Sequence, residues 1–251
     1  MTATSTLKAS QGEKPYRISA HAHACRTREH IVILDLKHNK YLALDGTQGD
    51  KLVPFIEGWP RPPEALSHPS YSPNSVESLL HNLRSNSLIT EMAEPGEHLR
   101  ESVTARVTGS LVSEYVYPPR RLRATQATCF ILSTTLAATR LRWRGLEHVV
   151  LALQARKRSH SSNRGAFRFE AAREVIEEFD RLQPLMFSAK EGCLLHSLAL
   201  IELLARKDLF PTLVIGVRTR PFGAHAWIQE GGTVLNDLAE RVRKFTAILA
   251  V

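Results

Sequence analysis

Short β-forming runs that close the sequence constrain its fold more than any other feature. "TLVIGV" (212–217), "AHAWIQ" (224–229) and "TVLND" (233–237) are separated by Pro-Phe-Gly and Gly-Gly turns. Runs of this length between turn residues predict an antiparallel meander. From about residue 100 up to this meander, apolar residues instead recur at helical spacing. Helices followed by an antiparallel sheet predict an α+β fold.

Several longer segments with helical spacing precede the meander. "ATQATCFILSTTLAATRLRW" and "GLEHVVLALQARK" predict two buried helices that are separated at Gly145. "FEAAREVIEEFDRL" predicts an amphipathic helix, and the apolar run that begins at Cys193 predicts one more. The C-terminal part of the chain is therefore expected to be a set of helices packed on an antiparallel sheet.

The start of the chain shows a different order of patterns. Residues 16–24, 30–36 and 40–44 are rich in β-forming residues, and a Lys-His-Asn turn between the last two predicts a hairpin. Helical patterns follow over 48–58 and over Val76–Ile89. The order β-β-β-α-α predicts a small winged-helix-like β3α module.

Proline-rich and glycine-containing stretches mark the limits of this module. "GWPRPPEALSHPSYSPNS" (58–75) is too rich in proline for regular helix or sheet. Pro95 and Gly96 in "AEPGEH" indicate a domain boundary. We therefore predict two domains, residues 1–97 and residues 98–251.

The composition excludes several classes of protein. Apolar residues make up 43% of the chain and charged residues 23%, as in soluble globular proteins. No apolar run reaches the roughly 18 to 20 residues of a membrane span, and the first residues lack the apolar core of an export signal. The three cysteines lie far apart without CxxC spacing, which argues against a disulfide scaffold or a zinc cluster. We expect a cytoplasmic protein that binds no membrane.

The positive charge is concentrated in the middle of the chain. The net charge is +8, and residues 100–173 carry 14 Lys or Arg against 4 Asp or Glu. The segments on either side each have a net charge of −1. A solvated helical face and a surface for an acidic peptide or protein both explain this excess, and nucleic acid is the least favoured explanation.

Cys193 lies at the first turn of its predicted helix, directly after Gly192. Free backbone N–H groups and the positive end of the helix dipole favour a thiolate at this position. Structural cysteines are more often buried within an element. Cys193 is therefore the candidate nucleophile.

His225 and Asp237 complete a candidate catalytic site. His225 lies between Ala224 and Ala226, which leave space around the imidazole, and the Gly-Gly turn returns the chain to "LND" with Asp237. Adjacent strands can place Asp237 at one ring nitrogen and leave the other nitrogen for a thiol. A lone strand histidine is usually a packing residue, but here a helix N-terminus bearing Cys193 is expected beside the sheet. We predict His225 as the general base and Asp237 as the residue that orients it.

Two neighbouring residues allow other interpretations. His196 follows Cys193 by three residues on the same helix and could serve as a rival base. That choice leaves Asp237 without a role, so it is disfavoured. Trp227 shares a strand face with His225 and is either a wall of the cleft or a core residue.

No cofactor motif is recognisable. "HAHAC" places His21, His23 and Cys25 on one strand face, but no fourth ligand closes a tetrahedral metal site, and a solvated face is favoured. The sequence contains no G-x-x-x-x-G-K-[ST] motif for ATP. We expect neither a bound metal nor a bound nucleotide.

The C-terminal motifs resemble a known family. "GCLLHSLALIELL … LVIGV … PFGAHAWIQEGGTVLND" is similar to the transglutaminase-like cysteine protease domain of lasso-peptide B proteins, which are leader peptidases, over about residues 185–240. The resemblance implies a papain- or transglutaminase-like fold with Cys193, His225 and Asp237 as the catalytic triad. It also implies an asparagine-synthetase-like macrolactam cyclase as a partner, through which any ATP requirement would arise.

The N-terminal module resembles a second domain of the same pathways. "VILDLKHNKYLALDGT" is similar to the pyrroloquinoline-quinone peptide chaperone, a small recognition domain that binds a leader peptide as an added strand. The resemblance implies that the leader binds along the edge strand of the sheet and the neighbouring helix Val76–Ile89. The residues expected to contact it are Lys40, Tyr41, Leu42, Ala43, Leu44, Leu80 and Leu83.

Taken together, these features favour a cysteine peptidase that cleaves the leader from a lasso-peptide precursor before macrolactam formation. One alternative is a winged-helix-like nucleic-acid-binding protein with a non-catalytic C-terminal domain. The helix Val76–Ile89 has one Arg and an acidic Glu77, which is a poor surface for phosphates. Another alternative is acyl transfer to an amine, because it shares the thioester intermediate with hydrolysis.

Overall fold

The chain divides into two compact units, Met1–Glu101 and Ser102–Val251. The computed structural model describes these residues: 15–62, 73–91, 104–112, 123–161, 166–187 and 192–251. The domain boundary predicted at residue 97 lies outside the described residues. The order of elements within both units is that of an α+β protein, as predicted.

In its described residues, the first unit contains short strands and two helices. In chain order its described elements are β1 (Tyr16–Ile18), β2 (Ala22–Arg26), β3 (His30–Asp35), β4 (Lys40–Asp45), α1 (Gly46–Asp50), β5 (Ile56–Glu57), α2 (Pro73–Ser85) and β6 (Ile89–Glu91). Strands β2, β3 and β4 form one antiparallel sheet, in which β4 is an edge strand. Strands β5, β1 and β6 form a second sheet.

The predicted hairpin between β3 and β4 is present, and its turn has a local cause. The carboxylate of Asp35 accepts hydrogen bonds from the backbone N–H groups of Lys37 and His38, at 3.0 and 3.2 Å. Asn39 has a φ of 51°, a conformation that asparagine tolerates better than most residues. The turn therefore fixes the register in which Leu34 pairs with Tyr41.

The structure corrects three predicted elements of the first unit. The predicted strand 16–24 is divided, because Ser19 leaves the strand and bonds the backbone carbonyls of Leu88 and Ser87. The predicted helix over 48–58 is only the short α1, and Pro54 lies in the turns that follow it. The helix predicted over Val76–Ile89 is α2, which begins at Pro73 and ends at Ser85.

Leu80 and Leu83 belong to the core of the first unit. They are 5% and 4% exposed and pack in the same cluster as Ile31 and Ile33 of β3. Their apolar side chains are thus buried against their own unit, and their contact with a leader peptide stays a prediction.

The second unit combines helices with a mixed sheet. Its described elements are β7 (Gly109–Ser110), α3 (Ala124–Ser161), α4 (Phe169–Leu182), a 3₁₀ turn (Gln183–Leu185), α5 (Cys193–Ala205), β8 (Thr212–Thr219), β9 (Phe222–Glu230), β10 (Thr233–Val234), α6 (Ala239–Val242) and β11 (Thr246–Ala250). The strand order in the sheet is β11-β8-β9-β10-β7.

The predicted meander is confirmed as β8, β9 and β10. Each neighbouring pair is antiparallel, and Gly216 of β8 lies opposite His225 of β9. The sequence did not predict β11, which pairs antiparallel with β8, or β7, which pairs parallel with β10. The meander is therefore the centre of a larger sheet.

The helical segments that the apolar spacing predicts are present in α3, α4 and α5, whereas the short α6 was not predicted. The part of α3 before its break is not buried as predicted, since Leu132 and Trp143 are 53% and 83% exposed. α3 is interrupted at Gly145, whose φ of 78° is open to glycine at little cost. α5 contacts α3, α4 and β9, and it is apolar around most of its circumference, with buried residues from Ser197 to Leu204. A helix of this kind is a core element, and here it carries Cys193 to the sheet.

Two arginines of the basic segment 100–173 form ion pairs within the second unit. The guanidinium groups of Arg140 and Arg156, both on α3, bind the carboxylate of Glu202 on α5 at 2.6 and 3.2 Å. These ion pairs join the two helices. In the described part of the chain, no helix combines the length and the apolarity that a membrane crossing requires.

Candidate active site

Cys193 is the first residue of α5. Gly192 before it is extended, with φ −65° and ψ 143°, and no side chain caps the helix start. The backbone N–H of Ala226 on β9 donates a hydrogen bond to Cys193 Sγ at 3.2 Å. The sulfur therefore lies against the sheet, at the positive end of a core helix.

His225 lies between Cys193 and Asp237. Its Nε2–H donates a hydrogen bond to Asp237 Oδ2 at 2.5 Å. Its ring also hydrogen-bonds the thiol of Cys193, and Nδ1 is the nitrogen that remains for this contact. The structure thus brings together the three predicted residues in the predicted order.

Asp237 is held by groups besides the imidazole. It follows β10 in a turn and is 8% exposed. Its Oδ1 accepts hydrogen bonds from the backbone N–H of Leu238 at 2.7 Å and lies 3.2 Å from the guanidinium of Arg241. These contacts fix the carboxylate while Oδ2 faces His225.

The electrostatics favour a thiolate–imidazolium pair. Burial by itself raises the pKa of the Cys193 thiol, but hydrogen bonds from His225 and Ala226 and the charge of His225 bring that pKa below its ordinary value. Burial lowers the pKa of His225, yet hydrogen bonds to Asp237 and Cys193 raise it overall to about 9. Burial likewise opposes ionisation of Asp237, and the bonds from His225 and Leu238 outweigh it and lower its pKa. The nucleophile is therefore prepared before a substrate arrives.

Aromatic side chains pack around the imidazole of His225. The ring of Trp227 is stacked at 6.1 Å between centroids, and that of Phe245 lies at 5.2 Å. Trp227 is 3% exposed and belongs to a core cluster. It therefore fills the core beside His225, which is one of its two predicted roles, and its role as a wall of the cleft stays a prediction.

His196, the rival base, is occupied elsewhere. Its Nε2 donates a hydrogen bond to Gln183 Oε1 at 2.5 Å, and its ring meets the edge of Phe179 at 4.7 Å between centroids. Burial is the main cause that lowers its pKa to about 4. With so low a pKa, His196 is neutral at pH 7 and does not readily accept a proton from a thiol. His225 therefore remains the predicted base.

The "HAHAC" segment is not solvated, contrary to the prediction. His23 and Cys25 lie on one face of β2 and are each 8% exposed. Burial lowers the pKa of His23 to about 4 and raises that of Cys25 to about 12. Among the residues that the structure describes, no group of three or more His, Cys, Asp or Glu side chains is placed to hold a metal ion.

The remaining leader-binding candidates all lie on the edge strand β4. Lys40 and Ala43 are exposed, whereas Tyr41, Leu42 and Leu44 are half-buried. Leu42 and Leu44 pack against the core of the first unit. The edge position is the one that strand addition requires, and binding of a peptide there stays a prediction.

Two polar residues beside the triad were not predicted. Ser197 Oγ donates a hydrogen bond to the carbonyl of Ala226 at 3.1 Å and accepts one from Asn236 Nδ2 at 2.9 Å. Asn236 Oδ1 accepts a hydrogen bond from the backbone N–H of Ile228 at 2.8 Å. The available indications were their spacing, one helical turn after Cys193 and one residue before Asp237, but neither residue type is diagnostic by itself.

Comparison with known proteins agrees with this architecture. Residues 131–250 match the family model of the transglutaminase-like superfamily. The matched residues include Cys193, His225 and Asp237, and the helices and sheet described above agree with a transglutaminase-like fold for this part of the chain.

A stretch of 62 residues is 40% identical to the microcin J25-processing protein McjB of Escherichia coli. This stretch is 25% of the chain and 30% of that protein, so the chain matches less than a third of the length of this relative. No solved structure matches the chain. The two matches support a resemblance to lasso-peptide B proteins, whereas the resemblance of the first unit to a peptide chaperone stays a prediction.

Proposed function

We propose that this chain is a cysteine peptidase that binds the leader of a ribosomally made lasso-peptide precursor and cleaves it off before macrolactam formation. The observation that carries the proposal is the hydrogen-bonded series from Cys193 through His225 to Asp237. The partial similarity to a microcin-processing protein supports the class of substrate.

The geometry suits acyl transfer through a thioester. The Cys193 thiolate adds to the scissile carbonyl carbon, and the imidazolium of His225 gives its Nδ1 proton to the departing amine. The neutral imidazole then takes a proton from a water molecule as that water attacks the thioester carbonyl. Cys193 leaves as the thiolate, the acid product is released, and the thiolate–imidazolium pair is restored. Asp237 keeps the ring oriented and stabilises its charged form. The backbone N–H of Cys193 at the helix start is the donor best placed for the developing oxyanion.

Recognition of the leader is assigned to the first unit. An extended peptide that adds to β4 gains main-chain hydrogen bonds along the strand, and pockets for alternate side chains give specificity. Joining the binding module to the peptidase raises the effective concentration of the bound precursor at the thiol. The product is the substrate expected for a macrolactam cyclase, which would supply any ATP chemistry.

The test uses the full chain and a lasso-peptide precursor, to be sought among short reading frames beside its gene. We expect the wild-type chain to release the leader, as seen by mass spectrometry, and Cys193→Ala to abolish cleavage while the circular dichroism spectrum is unchanged. Cys25→Ala is the matched control and should cut normally. Normal cleavage by Cys193→Ala would refute the thiol mechanism. A product that carries an added amine in place of water would change the proposal to acyl transfer.

A further inference from the structure

Beneath the triad lies a second set of hydrogen-bonded residues, each next to a triad residue in space or in sequence. Ser197 is one helical turn after Cys193 on α5, Ala226 follows His225 on β9, and Asn236 precedes Asp237. We call Ser197 and Asn236, with the bonds between them and β9, the Ser–Asn clamp. Ser197 and Asn236 are hydrogen-bonded to each other.

The first arm of the clamp fixes α5 against β9. Residues four apart on a helix share one face, so Cys193 and Ser197 both face the strand. Both of them contact Ala226: its N–H bonds Cys193 Sγ at 3.2 Å, and its carbonyl accepts from Ser197 Oγ at 3.1 Å. Two contacts from one helix face to a single residue set how far the sulfur lies from the neighbouring imidazole.

The second arm fixes the turn that carries Asp237. The side-chain amide of Asn236 spans two elements, because its oxygen accepts from Ile228 on β9 at 2.8 Å and its nitrogen donates to Ser197 on α5 at 2.9 Å. Strand β10 before this turn is only two residues long. The amide therefore joins helix, strand and turn at one point.

Burial of Ser197 excludes water from its hydrogen bonds, so water cannot take the place of its hydroxyl. Ser197 is fully buried, with an exposed fraction of 0%, and its hydroxyl uses its one proton for Ala226 while a lone pair receives the amide of Asn236. A buried network in which each member is bonded specifies one geometry. The hydrogen bonds described for Ser197 and Asn236 go to the backbone of Ala226 and Ile228 and to each other, so the clamp acts on the triad through β9.

The geometry points to Ser197 and Asn236 as positioning residues of the active site, which hold the thiol of Cys193, the ring of His225 and the carboxylate of Asp237 in line. This inference rests on the proposed function, because it assigns the clamp to the same site. It predicts that loss of the clamp weakens the thiolate–imidazolium pair without altering how substrate binds.

The experiment measures the state of the thiol directly. Ser197→Ala and Asn236→Leu are made in the full chain, and alkylation of Cys193 by iodoacetamide is followed against pH by peptide mass spectrometry. We expect the apparent pKa of the thiol to rise, so that the alkylation rate near pH 6 falls by about tenfold for each unit of the rise. On the precursor peptide, kcat should fall by roughly 10- to 100-fold while KM is unchanged.

Ser133→Ala is the matched control. Ser133 is a helix serine with 1% exposure whose hydroxyl accepts from Arg206, just after the C-terminal end of α5 and away from Cys193. Ser133→Ala should lower Tm but leave the alkylation profile unchanged. Ser197→Thr keeps the hydroxyl and should show the wild-type alkylation profile. Asn236→Ala replaces any variant that circular dichroism shows to be unfolded.

Alkylation profiles of folded clamp variants that coincide with wild type would overturn the inference, even if Tm falls. Because alkylation needs no peptide, the profile decides the role of the clamp even if the wild-type chain cleaves no precursor. Absence of cleavage with a shifted profile would refute the proposed substrate and leave the clamp in place.

Discussion

At the scale of single residues, the charge state of the Cys193–His225 pair determines when the site can work. The pair requires a thiolate and an imidazolium together, and the pKa of the thiol is lowered while that of the imidazole is raised to about 9. Between these values both groups carry the charge that catalysis needs. The window therefore opens below the ordinary pKa of a cysteine thiol and closes as pH rises through about 9.

The first prediction follows from this window. We expect kcat/KM to fall as pH rises through about 9, because His225 then loses the proton it must give to the leaving amine. The raised pKa also contributes stability that is fully present below the ordinary value of 6.5 and is lost as pH rises through about 9. Initial rates across the pH range, with Tm measured in the same buffers, check both effects. An alkaline limb near pH 6.5 would contradict them.

The second prediction concerns Asp237. Asp237→Asn keeps the shape of the side chain but removes the charge that stabilises the imidazolium, so kcat should fall by roughly 10²- to 10⁴-fold. The alkaline limb should move to lower pH, because the pKa of His225 loses part of its support. Pre-steady-state and steady-state rates of precursor cleavage across the pH range measure both the fall in kcat and the shift of the alkaline limb.

The control for Asp237→Asn is Asp208→Asn. Asp208 is exposed and has a φ of 55°, a conformation that asparagine accepts, so this change should leave the rate alone. A full rate for Asp237→Asn together with inactivity of His196→Ala would show that the base has been misassigned.

The residues of the site differ in how far the sequence could predict them. Cys193, His225 and Asp237 could be found because each residue type has few chemical uses and each lies at a helix start, on a strand or after a turn. Ser197 and Asn236 could not, since serine and asparagine are common and their function depends on bonds between elements distant in the chain. For Leu80 and Leu83, an apolar helix face predicts burial but not the surface that buries it, which in the structure is the core of their own unit.

At the scale of elements, the pairing of β8 with β9 makes room for the ring of Trp227 beside the imidazole. Gly216 lies opposite His225, and a Cβ atom there would come within 2.7 Å of the ring of Trp227 and 2.9 Å of Phe245 Cβ. The absence of a side chain on β8 therefore allows Trp227 to lie flat beside His225.

The third prediction uses this close approach. Gly216→Ala should displace Trp227 and with it the imidazole, lowering the free energy of unfolding by about 1–3 kcal/mol and lowering kcat as well. Gly109→Ala is the matched control on β7, because a Cβ atom there meets nothing within 4 Å. Chemical denaturation and peptide cleavage measure the two effects. Equal behaviour of the two variants would contradict the packing argument.

Sequence patterns predict some of the element boundaries and miss others. The meander and the break at Gly145 were predicted because turn residues and a glycine mark them locally. Strands β7 and β11 were not predicted from the sequence. β7 has only two residues, and β11 pairs with a strand about thirty residues before it. The division of the first strand at Ser19 depends on bonds to residues 87 and 88, which no local pattern contains.

At the scale of the whole molecule, recognition and cleavage are assigned to different units. The edge strand β4 belongs to the first unit, and the triad belongs to the second. A change at the edge should therefore alter how tightly the precursor binds, and a change at the triad should alter how fast it is cut.

The fourth prediction tests this division. Ala43→Pro removes a backbone N–H from the edge strand and resists strand pairing, so KM for the precursor should rise while cleavage at saturating peptide continues. Ala43→Ser keeps the N–H and is the control. Titration of labelled leader into residues 1–101, with duplex DNA as competitor, reports binding separately. Tight DNA binding without leader binding would favour the nucleic-acid alternative.

The stacking of Trp227 on His225 has an optical consequence. A charged imidazolium beside an indole quenches its fluorescence, and these two rings lie 6.1 Å apart. The other tryptophans are Trp59, buried in the first unit, and Trp143, which is 83% exposed. With both replaced by phenylalanine, the chain would emit from Trp227 alone, dim while His225 holds its proton and bright once it is lost near pH 9. The protein would thus report the protonation of its own base as light, without a substrate or a label.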